Sequence, residues 1–169
     1  MDYEIKKYKK EKLVLFSIDI KQKKHKNGNW KKDIDFPLKW TEFTLKKTYI
    51  NNEYNGIALL TGKINNLIII DIDNIEHWKQ LLNEHDENEP NTVKVISGSG
   101  GIHLYFEYDK ELDNVKSKDH CFGKDYDIDI KTNGGCVIAP PSKYYNKNLK
   151  KDVEYKWEKS IFEYKLLFL

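Results

Sequence analysis

Arginine is absent from the 169 residues, so all 29 basic side chains are lysines. Any basic contact to an anion made by these residues therefore rests on a compact ammonium charge instead of a bidentate guanidinium fork. The accompanying wealth of Asn and Ile points to an AT-rich genome and is not read as chemistry. Cysteine is almost as scarce, with Cys121 and Cys136 alone. That excludes a disulfide framework and is the usage expected in a reducing intracellular compartment. The pair His120-Cys121 with a distant Cys136 makes no Cys-x₂-Cys half-site, so zinc is not expected. Apolar runs such as Leu67–Ile70 stop at four residues, whereas a helix crossing a bilayer needs about 20. No signal-peptide pattern opens the chain, so no membrane partner is expected and a soluble, intracellular protein is. With four prolines, no repeat and no Ser/Gly-rich linker, one domain is the best parse. No Gly-x-Ser-x-Gly elbow supports a serine hydrolase.

What is present suffices for a core: 39% hydrophobic and 13% aromatic residues against 33% charged, which argues against wholesale disorder. The formal net charge of +2 conceals an asymmetry. Residues 1–32 carry eleven lysines against Asp2, Glu4, Glu11 and Asp19, a local +7 that leaves the remainder at −5. Such a segment is suited to a polyanion.

Patterning predicts a first strand at Leu13–Ile18, then a lysine-rich hairpin turn or loop over 21–32 centred on Asn27-Gly28. A short helix is expected over Thr41–Tyr49 with Thr41 as cap. Gly56–Leu60 and Leu67–Asp73 read as buried strands. Asn74 can cap a helix from Ile75 to Asn83, since Ile75, Trp78, Leu81 and Leu82 recur at helical spacing. Glu84–Glu89 reads as an acidic turn. Thr92–Ile96 and Ile102–Tyr108 form a hairpin around Ser97–Gly101, and Tyr126–Lys131 and Cys136–Ala139 a second such pair around Asn133-Gly134-Gly135. Val153–Trp157 alternates like a strand, and Ile161–Leu169 is an apolar tail. The fold class is α+β.

Alternation puts Asp71 and Asp73 on one face at the end of the most apolar strand. Two carboxylates there repel unless a hard divalent cation, Mg²⁺ or Mn²⁺, lies between them, although a polar strand end explains them equally. Asp129 is a third candidate ligand, sharing a face with Asp127 and Lys131, and a surface strand rich in Asp and Lys is the plainer account. The Ser97–Gly101 turn lacks the following helix of a P-loop, yet its glycines permit close backbone approach to an anion. His103 lies just inside the next strand, where a structural role is the usual one.

Jointly these segments resemble the archaeo-eukaryotic primase superfamily, specifically the bifunctional primase-polymerase domains of viruses and plasmids. The resemblance runs over roughly 33–158. Thr61-Gly62 with Asn66–Asp73 looks like the family's first motif, Ser97–Phe106 like its second, and Asp129–Gly135 running on to Ala139–Ser142 like its third. Tyr155–Glu158 looks like the strand that follows, and Pro37–Trp40 has the character of the family's N-terminal region. Lysine at 131 departs from the arginine often found there, the N-terminal lysines have no clear counterpart, and the zinc element of some members is absent or reduced.

The resemblance implies an RRM-like catalytic core with a smaller N-terminal α/β unit, parsed as a basic N-terminal segment over 1–55, a core over 56–158 and a tail over 159–169. It implies metal-dependent nucleotidyl transfer on single-stranded DNA, making or extending primers from NTPs or dNTPs. Asp71, Asp73 and Asp129 would hold two Mg²⁺ or Mn²⁺ ions. His103, Lys131 and the Ser99-Gly100-Gly101 backbone would meet the triphosphate. The lysines of 1–32, with Lys143 and Lys147, would hold template phosphates. Trp30 and Trp40 can stack on bases or belong to the core. A replicative helicase, as a domain or a protein, is a further expected partner. A non-catalytic nucleic-acid module and a metal-dependent nuclease remain alternatives on the same residues.

Overall fold

The computed structural model describes residues 2–169. In chain order it comprises α1 (Asp2–Lys10), β1 (Leu15–Lys24), β2 (Trp30–Asp35), β3 (Gly56–Leu60), β4 (Leu67–Ile72), α2 (Ile75–Glu84), β5 (Val93–Ile96) and β6 (Ile102–Glu107), followed by β7 (Ile128–Lys131), β8 (Cys136–Ala139), β9 (Lys143–Asn146), β10 (Lys151–Glu154), β11 (Lys156–Lys159) and β12 (Leu167–Phe168). One antiparallel sheet has the order β2-β1-β3-β8. The other runs β11-β5-β6-β4-β7, also antiparallel, with β12 lying parallel to β6 at Phe106 and Glu107. β9 and β10 form a separate hairpin. The architecture is mixed α+β. No helix among the described residues is long and apolar enough to cross a membrane.

β4 explains how the layers form. Its apolar run occupies a central position between β6 and β7, and alternation divides it between two cores. Ile68, Ile70 and Ile72 pack with Trp78 and Leu81 of α2, with Leu104 and Phe106, and with Ile128. Leu67 and Ile69 face the other way, into the core shared with the first sheet. Burying each such aliphatic chain contributes about 1.5–3 kcal/mol. α2 begins as its sequence requires: the Asn74 side chain accepts hydrogen bonds from the N–H groups of Glu76 and His77 at 3.0 and 3.4 Å.

Two chain segments step from one sheet to the other at a single point. β3 leads into β4, and beside it β7 leads into β8. The Thr61 N–H donates to the Gly135 carbonyl and the Thr61 hydroxyl to the Thr132 carbonyl. Gly62 has φ +85°, and a Cβ there would lie 2.6 Å from the Asn133 Cα, so the crossing needs glycine. This corrects the expected hairpin of 126–131 with 136–139. β7 pairs with β4 and β8 with β3, because 132–135 is a crossover between sheets.

Three other expectations change. Thr41–Tyr49 is not a helix; only a 3₁₀ turn at Trp40–Glu42 forms, and Phe43 is buried from an irregular segment. The first strand continues to Lys24, so the lysine-rich segment is a true hairpin with a tight His25–Asn29 turn. The strand expected at Val153–Trp157 is two strands broken at Tyr155, whose N–H donates to the Ser142 carbonyl while its ring is buried. An unanticipated helix, α1, docks through Ile5 and Tyr8, the Tyr8 hydroxyl donating to the Pro140 carbonyl at 2.7 Å.

Asn65, in the β3–β4 connection, is buried and fully used. Its Oδ1 accepts from the Val14 N–H at 2.6 Å, and its Nδ2 donates to the Val14 and Leu60 carbonyls, both at 2.8 Å. Asn65→Ala leaves the Val14 N–H without this partner in a closed core and strips the Val14 and Leu60 carbonyls of one donor each, the Val14 carbonyl keeping the Leu60 N–H. It should cost about 2–3 kcal/mol, read as a lower urea midpoint at unchanged slope; a midpoint equal to the parent's would contradict this assignment.

Candidate functional site

The candidate site is a row across three adjacent strands. Asp71 of β4 pairs directly with His103 of β6 on one side and with Asp129 of β7 on the other. Directly opposed residues project from the same face, here the face away from α2. His103 Nε2 lies 3.2 Å from Asp71 Oδ1. Asp129 Oδ2 accepts from the Lys131 ammonium at 2.8 Å, Lys131 also reaches Asp119 at 3.0 Å, and Asp129 Oδ1 accepts from the His120 N–H at 2.9 Å. Asp73 lies one pleat beyond Asp71, is exposed, and donates its N–H to the Asp127 carbonyl.

The Ser97–Gly101 turn closes the β5–β6 hairpin against this row. Ser97 N–H donates to the Gly101 carbonyl and Gly100 N–H to the Ser97 carbonyl. A Cβ on Gly101 would lie 2.6 Å from the Ile72 carbonyl oxygen and 3.4 Å from the Asp73 Cα, so glycine permits the turn to sit against the end of β4. A cavity of about 570 Å³ lies beside the turn, lined by Ser97–Gly100 and by Lys143, Lys151 and Lys156, with Asp152 and Glu154 among them.

The first sheet adds a residue that sequence patterning did not single out. Lys32 of β2 donates to the Tyr155 hydroxyl at 3.0 Å and lines a cavity of about 150 Å³ with Asp71, His103 and Tyr155. The only signal for it in the sequence is the alternation Trp30-x-Lys32-x-Ile34, which cannot say which lysine crosses to the other sheet. Tyr155 completes this wall, its ring 5.7 Å from that of His103.

Burial alone would raise the Asp71 carboxyl, but His103, with Lys32 and Lys131, outweighs it and holds the group down at about 2. Asp73 moves the opposite way. Partial desolvation of its carboxyl, although the residue as a whole is exposed, and the neighbouring Asp71, reinforced by Asp129, push it up despite Lys32. Burial pulls Lys32 down, yet Tyr155, Asp73 and Asp71 more than compensate and its ammonium is held more tightly than usual. Burial lifts the Tyr155 hydroxyl to about 12 against the pull of Lys32.

As the side chains stand, no group of three His, Cys, Asp or Glu residues among those described is gathered tightly enough to hold a metal. Asp71 is engaged by His103 and Asp129 by Lys131. The donor chemistry nevertheless suits Mg²⁺ or Mn²⁺, being all carboxylate oxygen. Asp73 is raised by desolvation first and by its like-charged neighbours Asp71 and Asp129 second. The structure thus brings together Asp71, His103, Asp129 and Lys131, with Asp73 and Ser99–Gly101 at their edge. Trp40 packs at a tilt against Phe16 and Phe36 and is half-buried at the margin of the first core.

Acids, ammonium groups and a glycine turn thus converge on one sheet end. The family model described as bifunctional DNA primase/polymerase, N-terminal, matches residues 17–163, and the chain belongs to that family. No curated protein matches it.

The opposed shifts of the two acids give opposite outcomes. Asp71's contribution to stability is present above its ordinary value of 3.8 and lost as pH falls through about 2. Asp71→Asn should therefore lower Tm at pH 7, with the deficit closing toward pH 2. Asp73 is ionised at neutral pH against its surroundings, so Asp73→Asn should raise Tm at pH 7 and change nothing once both forms are neutral. Thermal melts from pH 2 to 7 decide this, and the same sign of change in both variants would refute it.

Proposed function

We propose that the protein is a primase-polymerase that joins nucleotides on a single-stranded DNA template. The observation that carries this reading is the Asp71–His103–Asp129 row, adjacent to the glycine turn, in a chain of the primase/polymerase family. The succession β4-α2-β5-β6 and then β7 on neighbouring positions of one sheet supports an RRM-like core, with the irregular stretch between β6 and β7 standing where a second helix would complete the motif. Asp71, Asp73 and Asp129 would hold Mg²⁺ or Mn²⁺. When bound, such ions supply charge neutralisation for the attacking and leaving oxygens of an in-line displacement.

The protein's own groups do the positioning. In this reading the 3′-hydroxyl oxygen of a primer or first nucleotide attacks the α-phosphorus of the incoming triphosphate. The α–β phosphoanhydride bond breaks, pyrophosphate leaves, and the hydroxyl proton passes to water. The backbone of Ser99, Gly100 and Gly101 cradles the triphosphate. Lys131 offers a positive partner, and His103 a ring nitrogen, to charge that grows on the leaving group. His103 also orients the Asp71 carboxylate. Lys131, as an ammonium, can meet a phosphate by rotating away from Asp119, since exposed pairs of that kind contribute little.

Asp129→Asn should reduce template-dependent incorporation by at least about 100-fold, the scale of losing one electrostatic partner of a reacting centre. The measurement is extension and de novo synthesis on a defined single strand with labelled nucleotides and Mn²⁺. Retained incorporation sinks the proposal. Shortening of the labelled strand, absent in the variant, would show a nuclease, and strand binding with neither product would show a non-catalytic module.

A further inference from the structure

Two lysine-rich segments far apart in the chain are pinned side by side. Residues 20–32 contain six lysines and no acid, and residues 142–151 contain four lysines and no acid. The first is the distal part of the β1–β2 hairpin, bounded by Asp19 on one strand and by Asp33 and Asp35 on the other, and the second is β9 with its turn, bounded by Asp152 of β10. Trp30 N–H donates to Asn148 Oδ1 at 2.9 Å, and Asn148 Nδ2 donates back to the Trp30 carbonyl at 2.7 Å. Lys147 N–H donates to Gln22 Oε1 at 2.8 Å, and the Lys147 ammonium sits 3.9 Å from the centre of the Trp30 ring.

This assembly is electrostatically unfavourable as it stands. Among the described residues, only Lys21 of the ten lysines has a carboxylate within salt-bridge distance, from Asp19 and Asp35. Lys23 and Lys31 are directly opposed across the hairpin, where like charges destabilise. Specific bonds nevertheless hold the two hairpins together. A partner with closely spaced negative charges would offset the repulsion.

The ridge also leads somewhere. At one point Lys32 enters the cavity with Asp71 and His103. At another, Lys143 and Lys151 line the larger cavity beside the Ser97–Gly101 turn. An anionic surface such as a membrane could meet the lysines but has no use for an acid row at the end of them. A flexible phosphodiester strand can follow the ridge and deliver one end to both cavities. Exposed Tyr145 on β9 adds an aromatic face of the kind on which bases stack.

We propose that the paired hairpins form one contact surface for the phosphate backbone of a single nucleic-acid strand, with Lys23, Lys24, Lys26 and Lys31 on one hairpin and Lys147 and Lys150 on the other as principal contacts. That the strand is a template rests on the primase-polymerase reading. That the ridge holds a phosphodiester strand does not.

The test is fluorescence anisotropy of a labelled oligo-dT on the full chain across a series of KCl concentrations. Replacing Lys23, Lys24, Lys26 and Lys31 together by Ala should weaken binding at least tenfold at low salt. It should also reduce the slope of log affinity against log salt by about 3, given roughly 0.7 per single-strand phosphate contact. Lys147→Gln with Lys150→Gln is read the same way on the second hairpin, and serves if the first variant fails to fold. Asn148→Ala removes no charge, yet should weaken binding several-fold by unpinning the hairpins. Parental affinity and slope in a folded lysine variant would overturn the proposal, as would binding of the parent to phosphatidylserine vesicles but not to the oligonucleotide. Asp129→Asn separates the two readings: lost incorporation with intact binding supports both, whereas retained incorporation removes the catalytic reading and leaves the ridge standing.

Discussion

The register of β4 between β6 and β7 is the constraint from which the site follows. It sets Asp71 opposite both His103 and Asp129, and it is enforced from behind by Ile70 and Ile72, nearly or fully buried against the α2 core. A slip of one residue would turn Asp71 into that apolar core and expose isoleucines to the cleft. The penalty for burying an unpaired carboxylate is severe, so hydrophobic packing on one face aligns charges on the other. The glycine turn depends on the same register, since Gly101 fits against the Ile72 carbonyl where β4 ends.

Electrostatically the site is an unequal balance. Asp71 is supplied with a histidine and two lysines and is strongly ionised, while Asp73, two residues later, faces like charges and resists ionisation. One strand end thus carries one carboxylate compensated by neighbouring cations and another that desolvation and like charges disfavour. The whole chain repeats the pattern on a larger scale. Its +2 total is a sum over an acid row on one sheet and a lysine ridge on two hairpins, and the near-neutral sum describes neither surface.

Much of this architecture is legible in one dimension. The Asn74 cap, the strands around 56–60 and 67–72, and the hairpin around Ser97–Gly101 are local features, each determined by neighbours a few residues away. The departures share a cause of another kind. Thr41–Tyr49 has adequate helical spacing, but its aromatic neighbours Phe16, Phe36 and Trp40 stack among themselves and draw Phe43 into the core along an irregular path. Asn133-Gly134-Gly135 has the composition of a hairpin turn, yet Thr61 and Gly62 claim its backbone groups for a crossover. α1 is hidden in the sequence because two buried side chains, Ile5 and Tyr8, suffice to dock a helix otherwise made of charges.

The sequence by itself picked out the residues of the candidate row, because alternation along a strand and the backbone freedom of glycine are properties of the chain that no partner can alter. It determined the family to which those residues belong for the same reason: motifs are local. Only the tertiary structure decided where the lysines lie. Twenty-nine ammonium groups are alike until folding carries Lys32 across to the acid row and locks residues 20–32 onto 142–151. Those placements depend on sheet pairing, on Asn148 and on the break at Tyr155, interactions between residues more than a hundred positions apart, and no spacing rule in one dimension can encode them.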